Sequence, residues 1–438
     1  MTEHQQTDPL EALGARIREK EAKVCVLGLG YVGLPLLLTI ADAGFPVAGL
    51  DSDQGIVTGL LEGRSHITDI HDSDVASLDA VGFTTDPAVI ASSDIVIICV
   101  PTPLTDHSPD LSLVQGAARD VARFLKPGAL VVLESTTYPG TTEEILRPIL
   151  EASGHAAGND FALAYSPERI DPGQKVHRLE NTPKIVSGVT ERCRELATAF
   201  YSHFVREVVA TSTPREAEMA KLIENTFRQV NIALVNELAI MARDLGVNIW
   251  EALEAASTKP FGYMAFWPGP GVGGHCISID PSYLSWRAGQ QLGYRINFIE
   301  HANEVNNRMP AYVVTRIGEA LNDLGKPIRE TKILAVGITY KAGVNDQRES
   351  PSLSVLEKLD LKGAEVSYHD PYVSEVEVGG RILKSEDCTE SNIASKDCVV
   401  ILTAHEEVDY RMVVRTSPLV FDARGVTMDM DAPNIVRL

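Results

Sequence analysis

In the run PGPGVGGHCISIDPSYLSW, residues 268–286, a histidine and a cysteine stand side by side among glycines, and an aspartate follows the cysteine by four positions. Gly271, Gly273 and Gly274 leave open backbone around Cys276, so a bulky substrate can reach the sulfur. A free thiol is roughly a few per cent thiolate near neutral pH, and each unit by which its pKa falls raises that about tenfold, so a nearby cation matters. Lys221 is a candidate for that cation. It precedes Asn225 by four residues, and in a helix both project from one face, although a lysine in an apolar helix also snorkels to water. His275, Cys276 and Asp280 are all potential metal ligands. Adjacent residues seldom reach one ion together and neither CxxC nor HxxxH accompanies them, so no metal is expected. A merely buried thiol is the other competing reading. Glu168, in FALAYSPERIDPG, stands just outside an apolar strand, where a carboxylate can act as base for water or simply form a surface ion pair.

These groups need elements to carry them. KVCVLGLGYVGLPLLLTIADAGFPVAGLDSD reads as strand, glycine turn, helix and strand. Gly28, Gly30 and Gly33, with Tyr31 and Val32 inside the turn, let backbone approach a pyrophosphate at a helix N-terminus. Asp51 directly ends the second strand and is preferred over Asp53 as acceptor for a ribose 2′-hydroxyl; it would repel a 2′-phosphate, which favours NAD over NADP. SDIVIICVPTPL and ALVVLESTTYPGTTEEIL add strands whose ends, 100–103 and 134–140, open on the same carboxyl edge. Pro101, Thr102 and Thr136 are therefore candidate cofactor contacts, with helix capping the alternative for both threonines.

A second doubly wound domain follows in TKILAVGITYK, AEVSYHDPY, which ends a strand in Asp370, and DCVVILTAHEEVD. Its first loop lacks GxGxxG and offers Lys341 and Arg348 before a helix that Ser350 is expected to cap, with Pro351 in the first turn. Cations there suit an anionic ligand other than a second NAD. Between the two sheets, PREAEMAKLIENTFRQVNIALVNELAIMARDLGV reads as a long, largely buried helix, and residues 294–325 as another that leads to the last domain. An all-helical middle section is a natural homodimer interface.

The chain has 438 residues, enough for two or three domains. With 44% hydrophobic and 23% charged residues its composition is that of a soluble globular protein, and no run of roughly 18 apolar residues suggests a membrane span. The polar N-terminus lacks the pattern of a secretory signal and is read as a cytoplasmic leader. A net charge of −21 without any basic run argues against nucleic-acid partners. The six cysteines look like free thiols of a reducing compartment: Cys25, Cys99 and Cys398 lie in apolar strands, and Cys193 and Cys388 carry no signal.

GLGYVGLP at 28–35, VPTP at 100–103, EST at 134–136, SPER at 166–169, AKLIENTF at 220–227, GVGGHCISIDP at 271–281 and YKAGVNDQRESP at 340–351 resemble the nucleotide-sugar 6-dehydrogenases, the UDP-glucose/GDP-mannose dehydrogenase family. The resemblance covers nearly the whole chain after the leader. It implies an α/β protein in which two Rossmann-like doubly wound domains are joined by a central helical domain. The expected parts are a leader at 1–20, an NAD-binding domain at 21–210, a helical dimerisation domain with linking helix at 211–325, and a UDP-sugar-binding domain at 326–438. It also implies a four-electron oxidation of the sugar C6 alcohol by two NAD in turn, with a thiohemiacetal and then a thioester on Cys276. By position, Lys221 and Asn225 match the oxyanion-stabilising residues, Asp280 and Thr136 those assisting proton transfer, and Glu168 the residue of thioester hydrolysis. Lys341 matches a substrate-binding lysine and Arg348 a residue near the cofactor; Arg169, Tyr263 and Gly273 are expected at the substrate. Arg169 and KPFGYMAFWPGPG look like the branch acting on UDP-N-acetylhexosamines. The expected substrate is UDP-N-acetylglucosamine, with UDP-N-acetylgalactosamine, UDP-N-acetylmannosamine and UDP-glucose as alternatives. An NAD-binding scaffold without chemistry is the rival class, and the presence of Cys276, Lys221, Asn225 and Asp280 argues against it.

Overall fold

The computed structural model describes residues 8–67, 70–78, 81–105, 108–169, 178–274 and 277–438. The chain divides into two compact units, Met1–Glu224 with Trp286–Gly293, and Asn225–Ser285 with Tyr294–Leu438. His275 and Cys276 lie outside the described residues.

The first unit runs α1 (Pro9–Arg18), β1 (Val24–Leu27), α2 (Gly33–Asp42), β2 (Val47–Leu50), β3 (Gly82–Thr84), β4 (Ile95–Ile98), β5 (Leu130–Leu133), β6 (Ala162–Tyr165), β7 (Lys184–Gly188), α3 (Glu191–Tyr201) and β8 (Val208–Ala210). These strands form one sheet in the order β8-β7-β6-β5-β4-β1-β2-β3, parallel except where β7 runs against β6. The run 3-2-1-4-5-6 is that of a dinucleotide-binding sheet, whose crevice opens beyond the carboxyl ends of β1 and β4. Strands β1, β4, β5 and β6 are buried at every position, because a parallel strand covered on both faces has no polar side. That is why they read as VCVL, IVII, LVVL and ALAY.

The stretch expected as a polar leader contains a helix. In α1, Leu10, Leu13 and Ile17 fall on one face and are buried in the same core as α2, while Asp8 caps the first turn and pairs with Arg192 at 2.6 Å. Three apolar anchors among charges gave little signal of this.

Helix α4 (Pro214–Asp244) contributes its first turns to the first unit and the remainder to the second. The second unit continues with α5 (Asp280–Leu292), α6 (Asn297–Asp323), β9 (Lys332–Val336), α7 (Pro351–Leu361), β10 (Glu365–His369), β11 (Cys398–Ile401), β12 (Val420–Asp422) and β13 (Ile435–Arg437); the last turns of α5 belong to the first unit. Its sheet is entirely parallel in the order β10-β9-β11-β12-β13, the 2-1-3-4-5 doubly wound arrangement. Helix α4 is less buried than its composition suggests. Ala217, Leu222, Ala233, Val235, Ala239 and Ala242 are buried, whereas Met219, Ile223, Phe227, Leu234 and Met241 form an exposed apolar stripe.

Candidate active site

The glycine turn of the first unit is dictated by contact. A Cβ on Gly28, whose φ is +86°, would meet the Cys99 carbonyl oxygen at 2.7 Å, and one on Gly33 would meet the Gly28 oxygen at 1.8 Å. Gly30 is different: a Cβ there meets nothing within 4 Å, which leaves an open cradle beside the start of α2. No side chain caps α2; its Leu34 amide donates to the Gly30 carbonyl at 3.1 Å and Pro35 has no N–H, so the cradle lies at the positive end of the helix rather than against a row of free amides. Asp51 accepts the Leu29 N–H at 2.7 Å and holds the turn, while Asp53 is engaged in capping the helix Gln54–Leu61 through Gly55 and Ile56. These residues fit a dinucleotide. Tyr31 and Val32 pack part-buried on the core, Pro101 is exposed, and Thr102 donates to the Thr136 carbonyl at 2.8 Å, stapling the ends of β4 and β5 together.

Glu168 is not a surface ion pair. It is 6% exposed and shares the buried Lys184 with Glu134: Lys184 Nζ lies 2.8 Å from Glu134 and 3.4 Å from Glu168. Arg169, expected at the substrate, has its guanidinium 2.7 Å from Glu224 on α4 and donates to the Pro183 carbonyl at 2.6 Å, which anchors the loop after β6. Lys221 is 7% exposed, so the alternative of a lysine snorkelling into water does not hold.

Glu218, one turn before Lys221 on α4, accepts from the Gly140 and Thr142 amides and the Thr142 hydroxyl, at 2.5, 2.9 and 2.7 Å. Burial pushes its carboxyl up to about 7 against the pull of these donors. Because the folded value exceeds the unfolded one, the stabilising contribution is complete below about pH 4.5 and is lost as pH rises through 7. Glu218→Gln cannot ionise. Its melting temperature relative to the natural protein is expected to climb between pH 5 and pH 8, by the equivalent of up to about 3 kcal/mol. Parallel melting curves at both pH values would refute this.

In the second unit Asn225 Nδ2 donates to Asp280 Oδ2 at 2.5 Å, and Asp280 is 3% exposed at the start of α5. The glycine loop before Cys276 is pinned along its length. The Gly269 amide donates to Asn236, which donates in turn to Asn306 of α6. Pro310 has no N–H to give the Asn306 carbonyl, and that oxygen lies against Gly271, 3.0 Å from where a Cβ would be. Gly273 fits against the Glu349 carbonyl and Tyr340, Gly274 against the Tyr340 ring, and the Gly274 amide donates to the Arg348 carbonyl at 3.2 Å.

The loop from β9 to α7 is held from within. Asp370 accepts the Ile338 amide at 2.8 Å and faces His405 Nε2 at 3.1 Å. The Gly343 amide donates to His405 Nδ1, so Nε2 carries the ring proton, and the Thr339 hydroxyl donates to the Lys341 carbonyl. Lys341 is thus presented on a fastened loop. Arg348 is half exposed and makes a bidentate pair with Asp346 at 2.9 and 2.7 Å. Ser350 occupies the N-cap position of α7 but makes no capping bond, contrary to expectation, because its hydroxyl is buried and finds no partner. Tyr263 is 38% exposed in a stretch without regular structure. Among the described residues no group of three His, Cys, Asp or Glu side chains is placed to hold a metal, and no helix is long and apolar enough to cross a membrane.

Three family models match this architecture: the NAD binding domain of the UDP-glucose/GDP-mannose dehydrogenase family over residues 22–205, its central domain over 215–308 and its UDP binding domain over 334–429. The chain belongs to the UDP-glucose/GDP-mannose dehydrogenase family. It is an NAD-dependent UDP-sugar dehydrogenase, an oxidoreductase. Among its relatives, the UDP-N-acetyl-D-mannosamine dehydrogenase of Pyrococcus horikoshii is 36% identical over 92% of this chain and 99% of its own. The UDP-N-acetyl-D-glucosamine 6-dehydrogenase of Pseudomonas aeruginosa is 37% identical over 81% and 84%. The solved structure of the Pyrococcus horikoshii UDP-D-ManNAc dehydrogenase superposes with a TM-score of 0.85 at 35% identity, over 95% of this chain and 98% of that one.

Within this family member the sequence reading missed several residues. Glu134, Lys184 and Tyr201 form one buried cluster but come from separate strands and a helix; a lysine in the apolar run PKIVSG was the single local sign. Arg424, just past β12, lays its guanidinium against Gly269, where a Cβ would come within 2.5 Å, and burial holds its pKa below the usual guanidinium range. A half-buried cation in the UDP binding domain is a natural partner for an anion.

Proposed function

We propose that the chain oxidises the C6 hydroxyl of a UDP-N-acetylhexosamine to the carboxylate in two steps, through a thioester on Cys276. The observation that carries this reading is the lock between two loops. The glycines leading to Cys276 are fitted against Tyr340 and Glu349 and hydrogen-bonded to Arg348, in the UDP-binding loop that presents Lys341. A nucleotide held by Lys341 and Arg424 would carry its sugar beside the segment that bears the thiol.

NAD, held at Gly28, Gly30, Gly33 and Asp51, supplies the hydride acceptor for both oxidations. As a hydride leaves C6, the hydroxyl proton passes to a water held by Asp280, giving the aldehyde. The Cys276 thiolate adds to the carbonyl carbon, and Lys221 with Asn225 stabilises the oxyanion. Asp280 fixes the Asn225 amide through one N–H, which orients the other. Loss of the second hydride leaves the thioester. Glu168 then takes a proton from water as its oxygen bonds to the carbon and the thiolate departs.

The sugar favoured by the named relatives is UDP-N-acetylmannosamine, with UDP-N-acetylglucosamine the alternative that the residue pattern suggests. Purified enzyme incubated with each of four UDP-sugars and NAD tests both points. Two NADH per sugar oxidised are expected; one would indicate an ordinary alcohol dehydrogenase, and none with any sugar would leave only binding.

The exposed stripe on α4 supports a homodimer. Phe227→Asp is expected to shift the sedimenting species towards monomer, and unchanged mass would remove α4 from the interface. We divide the chain at 21–210, 211–325 and 326–438 into cofactor, helical and UDP-sugar domains. The free cysteines among the described residues suit a cytoplasmic enzyme.

A further inference from the structure

Lys184 is fully enclosed on β7, and its ammonium serves two carboxylates from different strand ends. Tyr201 of α3 donates its hydroxyl to the other oxygen of Glu134, and the Arg169 amide donates to Glu168 Oε1 at 2.6 Å. A core gains little from such a group, since apolar residues of equal volume often stabilise as well as a buried ion pair. The cluster ends at Glu168, the one member the proposed chemistry uses.

We propose that Lys184 is a positioning residue for thioester hydrolysis: it keeps Glu168 ionised and aimed, and Glu134 with Tyr201 sets how much of the lysine's charge Glu168 receives. This rests on the reading of Glu168 as the base. In that step the water oxygen bonds to the thioester carbon, its proton goes to Glu168, and the carbon–sulfur bond breaks to return Cys276 as thiolate; Glu168 then gives the proton to solvent.

The charges facing Glu168 come from several elements. Lys184 on β7 is positive, and Glu134 beyond β5 competes for it. Cys99 beyond β4 stays neutral, because burial, then the Glu134 charge, pushes its thiol well above its usual range. Tyr201 stays a neutral donor for the same two reasons, burial foremost. The Arg169 guanidinium is occupied by Glu224.

The test follows thioester decay after a single turnover, by acid quench and intact-mass measurement across pH. Glu134→Gln keeps the shape, since its carbonyl accepts from Lys184 while its amide donates to the Tyr201 oxygen. With the competing charge gone, the acid limb of decay should move down by about one pH unit. Lys184→Met should move it up by at least about as much and let the thioester accumulate, and Lys184→Arg should restore most of the natural profile. If Lys184→Met does not fold, Glu134→Gln still decides. A natural profile in Glu134→Gln, or in Lys184→Met where that variant folds, would make Lys184 merely structural. Glu168→Gln separates the two levels: decay must slow, and unchanged decay would remove Glu168 as base and the underlying reading with it.

Discussion

Cys276→Ser enzyme is expected to lose carboxylate production by on the order of 10³-fold or more while binding NAD and UDP-sugar as the natural protein does. An aldehyde has no hydride to give until a nucleophile has made its carbon tetrahedral. Serine offers a neutral hydroxyl where cysteine offers a partly ionised and intrinsically stronger nucleophile, so the second oxidation stalls. The measurement is NADH formed per active site. Steady release of two NADH per sugar at the natural rate would remove the thioester from the pathway.

Gly33→Ala is expected to have the largest effect on cofactor affinity. Its Cβ would stand 1.8 Å from the Gly28 oxygen, well inside any tolerable contact, and both partners are backbone, so the turn from β1 to α2 must open. Overpacking of this kind costs about 1–3 kcal/mol of stability, and an opened turn no longer shapes the cradle at the N-terminus of α2, so NAD should bind at least about tenfold more weakly. Gly30→Ala is the control, because nothing of the protein lies within 4 Å of the added carbon. It should melt like the natural protein and still bind NAD less well, since the carbon fills the cradle itself. Calorimetric titration with NAD and thermal melting check both variants; natural NAD affinity in Gly33→Ala would mean the pyrophosphate does not rest on this turn.

Much of this was legible along the chain because the signals are local. The glycine turn, the strand end at Asp51 and the two doubly wound sheets are each written within about thirty consecutive residues, the length of a strand, crossover and strand. Asp51 stands directly at the strand end, whereas Asp53 caps the helix that follows, a role that was not read from the sequence. What escaped depends on neighbours that sheet order creates. Lys184 meets Glu134 because β7 runs against β6, which brings its first residue to the carboxyl edge where β5 ends, and Arg169 meets Glu224 because α4 begins in the same unit. No spacing in the sequence encodes those meetings. Ser350 likewise stands at a cap position, but its buried hydroxyl makes no capping bond. The role proposed for the thiol rests on its glycine setting and family pattern alone.

The two sheets end their second strands in the same residue type, yet the two aspartates differ in availability. Asp51 keeps part of its surface open, whereas the Asp370 carboxylate is fully enclosed, bonded to the amides of Ile338, Tyr372 and Val373 and to His405. An acid saturated by its own chain cannot discriminate between adenosine sugars. The C-terminal sheet therefore lacks the open strand-end acid that a dinucleotide's ribose calls for, in keeping with its match to a UDP binding domain.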